Sequence, residues 1–224
     1  MKIYLDSADA RSWSLLSGCP AVQGVTTNPT LVYQAGLDVS LPTYLRLLGA
    51  VADHGLSELM LQLPRADAAE ALAWLDALRS EARRLDVALT IKLPCHPDWL
   101  ACIEAMGRVD QEVLLTGLSS PVQLLWAQER KARWVAPYVG RLVNDGRNVP
   151  ALMEACVRVQ SAGGPGLLAA SIKSPDVLAQ LIAWGAEAVT LPPSSLSAWS
   201  RDALTDAAIA QFERDIHASH KRAE

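Results

Sequence analysis

Lysine is scarce in this 224-residue chain: five residues (2, 92, 131, 173 and 221) among 20 basic ones. Acidic residues slightly outnumber basic ones, with a net charge of −4 and a pI of 5.6. That balance argues against nucleic-acid binding by bulk charge, which needs a clustered basic surface. Cysteines are few (19, 95, 102 and 156), with no CxxC pair and no regular spacing. They read as reduced thiols rather than a disulfide frame. The four histidines (54, 96, 217 and 220) make no metal set. His217 and His220 lie three apart near the C-terminus with no further ligand nearby, so they read as a solvated helix end. No apolar run approaches the ~20 residues that span a bilayer. Asp6 and Asp9 interrupt the stretch where a signal peptide needs unbroken apolarity. The expectation is a cytoplasmic enzyme or binding protein with no membrane partner and no metal or other cofactor.

What is present fits a globular α/β chain. Half of the residues are hydrophobic and 20% are charged, which excludes disorder as the main state. The length is near the ~250 residues typical of a one-domain barrel, enough to bury roughly 70% of the unfolded surface. Eight short apolar runs read as strands: Ile3–Asp6, Val22–Thr27, Glu58–Leu63, Ala88–Leu93, Glu112–Gly117, Trp134–Val139, Leu167–Ile172 and Ala188–Leu191. Between them lie helix-like stretches. In 66–85, Leu72, Leu75, Leu78, Ala82 and Leu85 recur at three- and four-residue steps. Others cover 41–54, 97–109, 121–131, 149–161, 174–184 and 202–217. Strands alternating with helices imply a parallel sheet, and eight repeats predict closure into a (β/α)8 barrel spanning 1–224 as one domain. A doubly wound open sheet is the alternative, but no Gly-rich turn follows the first strand. Gly163–Gly166 reads as a helix-to-strand loop, since no Lys-Ser/Thr follows it. The last helix presents Ile209, Phe212 and Ile216 as an apolar stripe for its own barrel or a neighbouring subunit, and the polar tail 218–224 is expected to fray. Seven Trp residues against one Phe, mostly in helix-like segments, read as packing between layers or subunits.

Alternation along a strand separates each run into two faces. The aliphatic set should meet the helices and the other set should point into the barrel. In the first strand Ile3 and Leu5 oppose Tyr4 and Asp6; in the fourth, Leu89, Ile91 and Leu93 oppose Ala88, Thr90 and Lys92. In the seventh, Leu168, Ala170 and Ile172 are placed outward against Ala169, Ser171 and Lys173. In seven strands the inward set ends in a polar residue: Asp6, Asn28, Gln62, Lys92, Thr116, Tyr138 and Ser171. They should converge at the C-terminal end, where barrel enzymes carry their sites. Taken singly, each is also what an ordinary solvated strand end looks like.

Lys92 lies in LTIKLP between apolar neighbours. Burying an ammonium is costly, and desolvation lowers its pKa. The freed amine can add to a carbonyl, and the resulting imine acts as an electron sink for C–C cleavage without a metal. The alternative is a structural lysine paired with Asp6. Lys173 follows Ile172 and is assigned to anion binding. Tyr138 is either a proton donor and acceptor beside the imine, aided by a water held by Gln62 and Thr116, or a packed aromatic. Arg141, three residues on, suits a phosphate through its planar fork, unless it is a solvated surface charge. Ser171 and Lys173 would complete that pocket. Cys95-His96 reads as a loop thiol or helix start rather than a reactive pair.

These residues fall in segments that resemble the small transaldolase and fructose-6-phosphate aldolase family. The matching pieces are YLDSAD, GVTTNPTL, LQLP, IKLP, LLTGLSSPVQ, VAPYVGRL, LAASIKSP and VTLPPSSL, in family order over essentially the whole chain. The resemblance implies a (β/α)8 barrel running class I aldol chemistry. It implies Lys92 as the Schiff-base residue and Asp6 as acid/base or donor-hydroxyl contact. Asn28 and Thr26 would hold the donor, and Arg141, Ser171 and Lys173 the acceptor phosphate. It also implies a homo-oligomer, a pentamer or decamer. Three positions separate the branches of the family. Gln62 stands where transaldolases usually have Glu, Leu114 where they have Asn, and Ala136-Pro137-Tyr138 where they have Ser-Pro-Phe. All three resemble the fructose-6-phosphate aldolase branch, with a Gln-bound water that Tyr138 can protonate. Ser119-Ser120-Pro121 and Ile172 depart from that branch.

The leading expectation is therefore an aldehyde-lyase of carbohydrate metabolism. It would interconvert fructose 6-phosphate with dihydroxyacetone and glyceraldehyde 3-phosphate through Lys92. The runner-up is a transaldolase of pentose-phosphate type, carrying the three-carbon unit between sugar phosphates. A barrel that binds a sugar phosphate without turnover comes third, since neither the lysine nor the phosphate residues are missing.

Overall fold

The computed structural model describes residues 1–15 and 19–223. Eight strands, β1 (Lys2–Asp6), β2 (Gly24–Thr26), β3 (Glu58–Gln62), β4 (Ala88–Pro94), β5 (Val113–Thr116), β6 (Trp134–Ala136), β7 (Gly166–Ala169) and β8 (Ala188–Leu191), pair in parallel in chain order. β8 pairs back onto β1 and closes the barrel, which removes the doubly wound alternative. The helices are α1 (Pro29–Gln34), α2 (Leu41–Asp53), α3 (Ala68–Leu85), α4 (Leu100–Arg108), α5 (Pro121–Glu129), α6 (Val139–Asn144), α7 (Val149–Ser161), α8 (Pro175–Trp184), α9 (Pro193–Trp199) and α10 (Ala203–Ala223).

Period-two alternation builds two separate cores. Outward strand residues such as Leu59, Leu61, Ile91, Leu115, Val135 and Leu167 pack in one cluster with Leu48, Leu75, Leu78, Met106 and Met153 of the helices. Fully burying such a side chain contributes ~1.5–3 kcal/mol, so this layer supplies most of the driving force. The barrel interior holds a second cluster: Tyr4, Met60, Leu114, Trp134, Ala136, Leu168 and Ala188. Trp134 fills the floor because its register partner is glycine. A Cβ on Gly166 would fall 2.6 Å from the indole.

The interior cluster corrects the phase expected for the seventh strand. Leu168 points inward and Ala169 outward, the reverse of the sequence reading. Alternation cannot be carried past the end of β7, because Ser171 adopts φ +58°. That left-handed turn redirects the chain at the mouth of the barrel. Three short helices, α1, α6 and α9, went unanticipated; at six or seven residues they are too short to show a 3.6-residue period. The segment 97–109 divides into a 3-10 turn at Pro97–Trp99 and α4. α10 continues through the polar tail as far as Ala223.

Helix starts are written locally. Asn28-Pro29, Ser120-Pro121 and Ser174-Pro175 each place a capping side chain before a proline at the first helical position. The cap satisfies an orphan N–H, and proline supplies none to orphan. Each of these caps follows a strand of the barrel and fixes the loop at its mouth.

The N-terminal end of the barrel is closed by a polar plug. Glu58, 3% exposed, accepts from the Tyr4 and Thr90 hydroxyls at 2.7 Å each and pairs with Arg133 at 3.2 Å. Arg133 also pairs with Glu112. Glu58→Ala is expected to cost about 3–5 kcal/mol in urea unfolding, because it strands two buried hydroxyls and a half-buried guanidinium. A loss under 1 kcal/mol would show that the plug is slack.

Candidate active site

Lys92 is the fifth residue of β4, with Ile91 and Leu93 turned out into the helix layer. Its register neighbours are Gln62 on β3 and Leu114 on β5. The residue is 4% exposed. Burial pulls the amine down to about 8 from its ordinary 10.5, and the Asp6 carboxylate pulls it back up more weakly. No ion pair within 4 Å among the described residues involves Lys92, so it is not a structural lysine locked to a carboxylate. Leu114 adds an apolar neighbour where a polar side chain would have solvated the ammonium.

Asp6 ends β1. Its Oδ1 accepts from the Thr26 hydroxyl at 3.0 Å, and Thr26 meets the Thr190 hydroxyl at 2.7 Å. With Thr26 donating to Asp6, Thr190 must donate to Thr26, so a two-hydroxyl chain orients the carboxylate. Thr190 is a site residue the sequence reading passed over. It is the inward polar residue of the eighth strand, visible in the alternation of AVTL.

Thr116 donates to the Tyr138 hydroxyl at 2.7 Å. The bond uses the phenolic oxygen as acceptor and leaves the phenolic proton free. The Arg141 guanidinium lies over the Tyr138 ring, 4.6 Å from its centre. Gln62 stands inward beside Lys92, and its carbonyl is held by the buried Tyr44 hydroxyl at 2.7 Å.

A cavity of about 350 Å³ opens at this end of the barrel. Asp6, Asn28, Tyr138, Arg141, Ser171 and Lys173 line it; Lys92, Thr26, Gln62 and Thr116 are not on its wall. Ten residues singled out from sequence thus share one end of one barrel, six on the cavity wall. Asn28 is narrower in scope than expected. Its Oδ1 caps α1 through the Leu31 N–H at 3.0 Å, which fixes the side chain and leaves its two amide N–H donors and one lone pair for a ligand. Ser171 reaches the wall through its left-handed φ rather than by strand alternation. Lys173 and Arg141 are both exposed cations on the wall, a pair suited to an oxyanion.

Gly140 is what lets the loop carrying Ser171 and Lys173 come close. Its N–H donates to the Ser171 carbonyl at 2.9 Å. A Cβ there would sit 2.6 Å from that oxygen and 2.8 Å from Lys173 Cγ. Gly140→Ala is expected to raise KM about tenfold for a phosphorylated substrate and to leave an unphosphorylated aldehyde unaffected. Equal effects on both substrates would detach the loop from phosphate binding.

Burial pushes the Cys95 thiol up to about 12, so it is inert at neutral pH, and all four cysteines are free. No cluster of three or more His, Cys, Asp or Glu able to hold a metal occurs among the described residues.

Three comparisons bear on what this chain is similar to. The barrel superposes on tryptophan synthase structures from M. tuberculosis with TM-scores of 0.54 and 0.56 over 88% of this chain. Those structures cover 84% and 83% in turn and are 15% identical, a likeness of fold alone. Sequence relatives are closer. A probable transaldolase of Roseobacter denitrificans is 30% identical over 96% of both chains. One from Caulobacter sp. is 29% identical over 96% of both, and one from Cereibacter sphaeroides is 30% identical over 96% and 95%. The family model for transaldolase/fructose-6-phosphate aldolase matches residues 3–224, nearly the full barrel and its inward lysine. That match over residues 3–224, with relatives 30% identical over nearly the whole chain, places the chain in the transaldolase/fructose-6-phosphate aldolase family.

Proposed function

We propose that Lys92 forms an imine with a ketose phosphate and that the chain passes the resulting dihydroxyacetone unit to an aldose phosphate. The observation that carries this reading is the buried, unpaired Lys92 amine with a pKa of about 8. Roughly a tenth of it is uncharged at pH 7, about three hundred times the fraction for an exposed lysine. The amine adds to the C2 carbonyl and water leaves. The C3–C4 bond then breaks, its electron pair moves into the iminium to give an enamine, and the C4 hydroxyl gives up its proton as the aldehyde departs. Asp6, held by Thr26 and Thr190, takes the acid/base role at the donor end. Arg141, Ser171 and Lys173 take the phosphate. The enamine carbon then attacks a second aldehyde, whose oxygen takes a proton, and water hydrolyses the regenerated iminium to free the product ketose and the Lys92 amine.

The sequence reading put net cleavage of fructose 6-phosphate first and transfer second. The relatives' names favour transfer and reverse that order. Cleavage stays as a second reading because Gln62 offers no carboxylate and Tyr138 holds a free phenolic proton. That proton can go to the enamine carbon, after which water releases free dihydroxyacetone. Incubation with fructose 6-phosphate and erythrose 4-phosphate separates the two. Sedoheptulose 7-phosphate outpacing free dihydroxyacetone is expected; free dihydroxyacetone accounting for all turnover establishes cleavage.

The amine also sets a pH profile. Imine formation needs the neutral form, so its rate should rise with pH and level off above about 8. A rise continuing towards 10.5 would mean the reacting lysine is exposed.

We also propose a homo-oligomer. Leu204, Ile209, Phe212 and Ile216 of α10 are 50–83% exposed, a face suited to a second copy. Sedimentation should show an assembly that α10 substitutions at Phe212 dissociate, and a monomer at micromolar concentration would contradict it. No helix among the described residues is long and apolar enough to cross a membrane.

A further inference from the structure

The loops that follow β4 and β5 are joined by one side chain. Gln123, in the first turn of α5, accepts through Oε1 from the Ser119 N–H at 2.7 Å, the Ser120 N–H at 3.0 Å and the Ser119 hydroxyl at 3.2 Å. Its Nε2 donates to the Cys95 carbonyl at 2.7 Å. The Cys95 thiol in turn points at the Gln123 carbonyl, 3.8 Å away. Ser119 and Ser120 follow the strand that carries Thr116, and Cys95 lies three residues beyond Lys92. The backbone alone ties these ends once more, through the Cys95 N–H and the Thr116 carbonyl at 2.8 Å. Beyond that point no ladder bond holds β4 and β5 together.

We propose that Gln123 is a positioning residue for the imine chemistry: by bridging the two loops it keeps water out of the seam between β4 and β5 and so keeps the Lys92 amine dry and aimed. This rests on Lys92 being the imine-forming residue. Half of the function of Gln123 is local, since its acceptor side completes the cap of α5. The other half, the donation to Cys95, does nothing for α5 and has its effect only across the seam. The charged and titratable groups around the mouth are Asp6 at the end of β1, Tyr138 after β6, Arg141 on α6 and Lys173 after β7; on the β4–β5 side stand the Cys95 thiol, the exposed His96–Asp98 pair in the loop after β4, and Asp145 and Arg147 facing the loop after β5. A bridge that opens by even an ångström misaims a reacting amine, and such displacements cost up to a hundredfold in rate.

Gln123→Glu separates the two halves. The carboxylate still accepts from Ser119 and Ser120, but it cannot donate to Cys95 and repels that carbonyl. Three readouts are compared with wild type and with Gln128→Glu, which adds the same charge at an exposed position on α5. Gln123→Glu is expected to lower kcat about tenfold with KM within about twofold. The pH at which borohydride trapping with dihydroxyacetone is half-maximal should rise above the wild-type value. Iodoacetamide labelling of Cys95, read by peptide mapping against the fully buried Cys102, should accelerate about tenfold. If Gln123→Glu does not fold, Gln123→Met is read in the same way. Wild-type kcat, trapping profile and Cys95 protection in the variant overturn the inference. A wild-type protein that traps no substrate at all overturns the imine reading instead, so the two failures are distinct.

Discussion

Lys92→Met is expected to abolish turnover, by about 10⁴-fold or more, and at the same time to make the protein more stable. The two effects share one cause. Folding lowers the amine from 10.5 to about 8, which at ~1.4 kcal/mol per pH unit is a penalty of ~3 kcal/mol. The sign follows from proton binding. Between pH 8 and 10.5 the unfolded chain holds a proton that the folded chain does not, so stability rises with pH across that window. Below 8 both states are protonated and the full penalty applies. Methionine fits the barrel interior beside Leu114 without charge, so urea unfolding at pH 7 should show a gain of up to ~3 kcal/mol that fades between pH 8 and 10.5. A variant that keeps activity, or that loses stability at pH 7, would contradict a buried and unpaired amine.

Tyr138→Phe is expected to lower turnover by about 10²–10⁴-fold while leaving borohydride trapping with dihydroxyacetone largely intact. The phenol is held by the Thr116 hydroxyl, which donates to it, so its own proton faces the ligand. Removing the oxygen strands the Thr116 hydroxyl but leaves the Lys92 amine and the Arg141 stacking face in place. Proton transfer should therefore fail where amine addition succeeds. Measuring kcat and the trapping rate on the same preparation separates these steps. Unchanged turnover would remove Tyr138 from the mechanism and return it to ordinary packing.

Most of the barrel could be read ahead because a strand has a strict period of two. Lys92, Asp6, Gln62 and Thr116 fall on the inner face by parity, and the structure puts them there. Parity fails where the strand stops. Ser171 lies beyond β7, and its φ of +58° is a choice of backbone that no alternation records. Thr190 was passed over because a lone threonine between Val189 and Leu191 resembles any β-branched filler; its meaning comes from meeting Thr26, 164 positions away. Asn28 shows the converse. Asn-Pro is a legible cap, and the cap fixes the Asn28 side chain at the cavity wall, a second task that the sequence alone does not separate from donor binding. Gln123 combines both cases, since the S-P-V-Q cap is plain in the sequence and the bond to Cys95 is not.

Relatives named as transaldolases bear on which reaction the site completes, and the hydroxyls around it bear on how the enamine is quenched. Both depend on the same covalent step. The most direct measurement of that step is reduction with borohydride in the presence of dihydroxyacetone or fructose 6-phosphate, followed by peptide mass mapping of all five lysines. A single adduct on the peptide containing Lys92, lost in Lys92→Met, is the predicted result. An adduct on Lys173, or one that survives the Lys92 substitution, would contradict it.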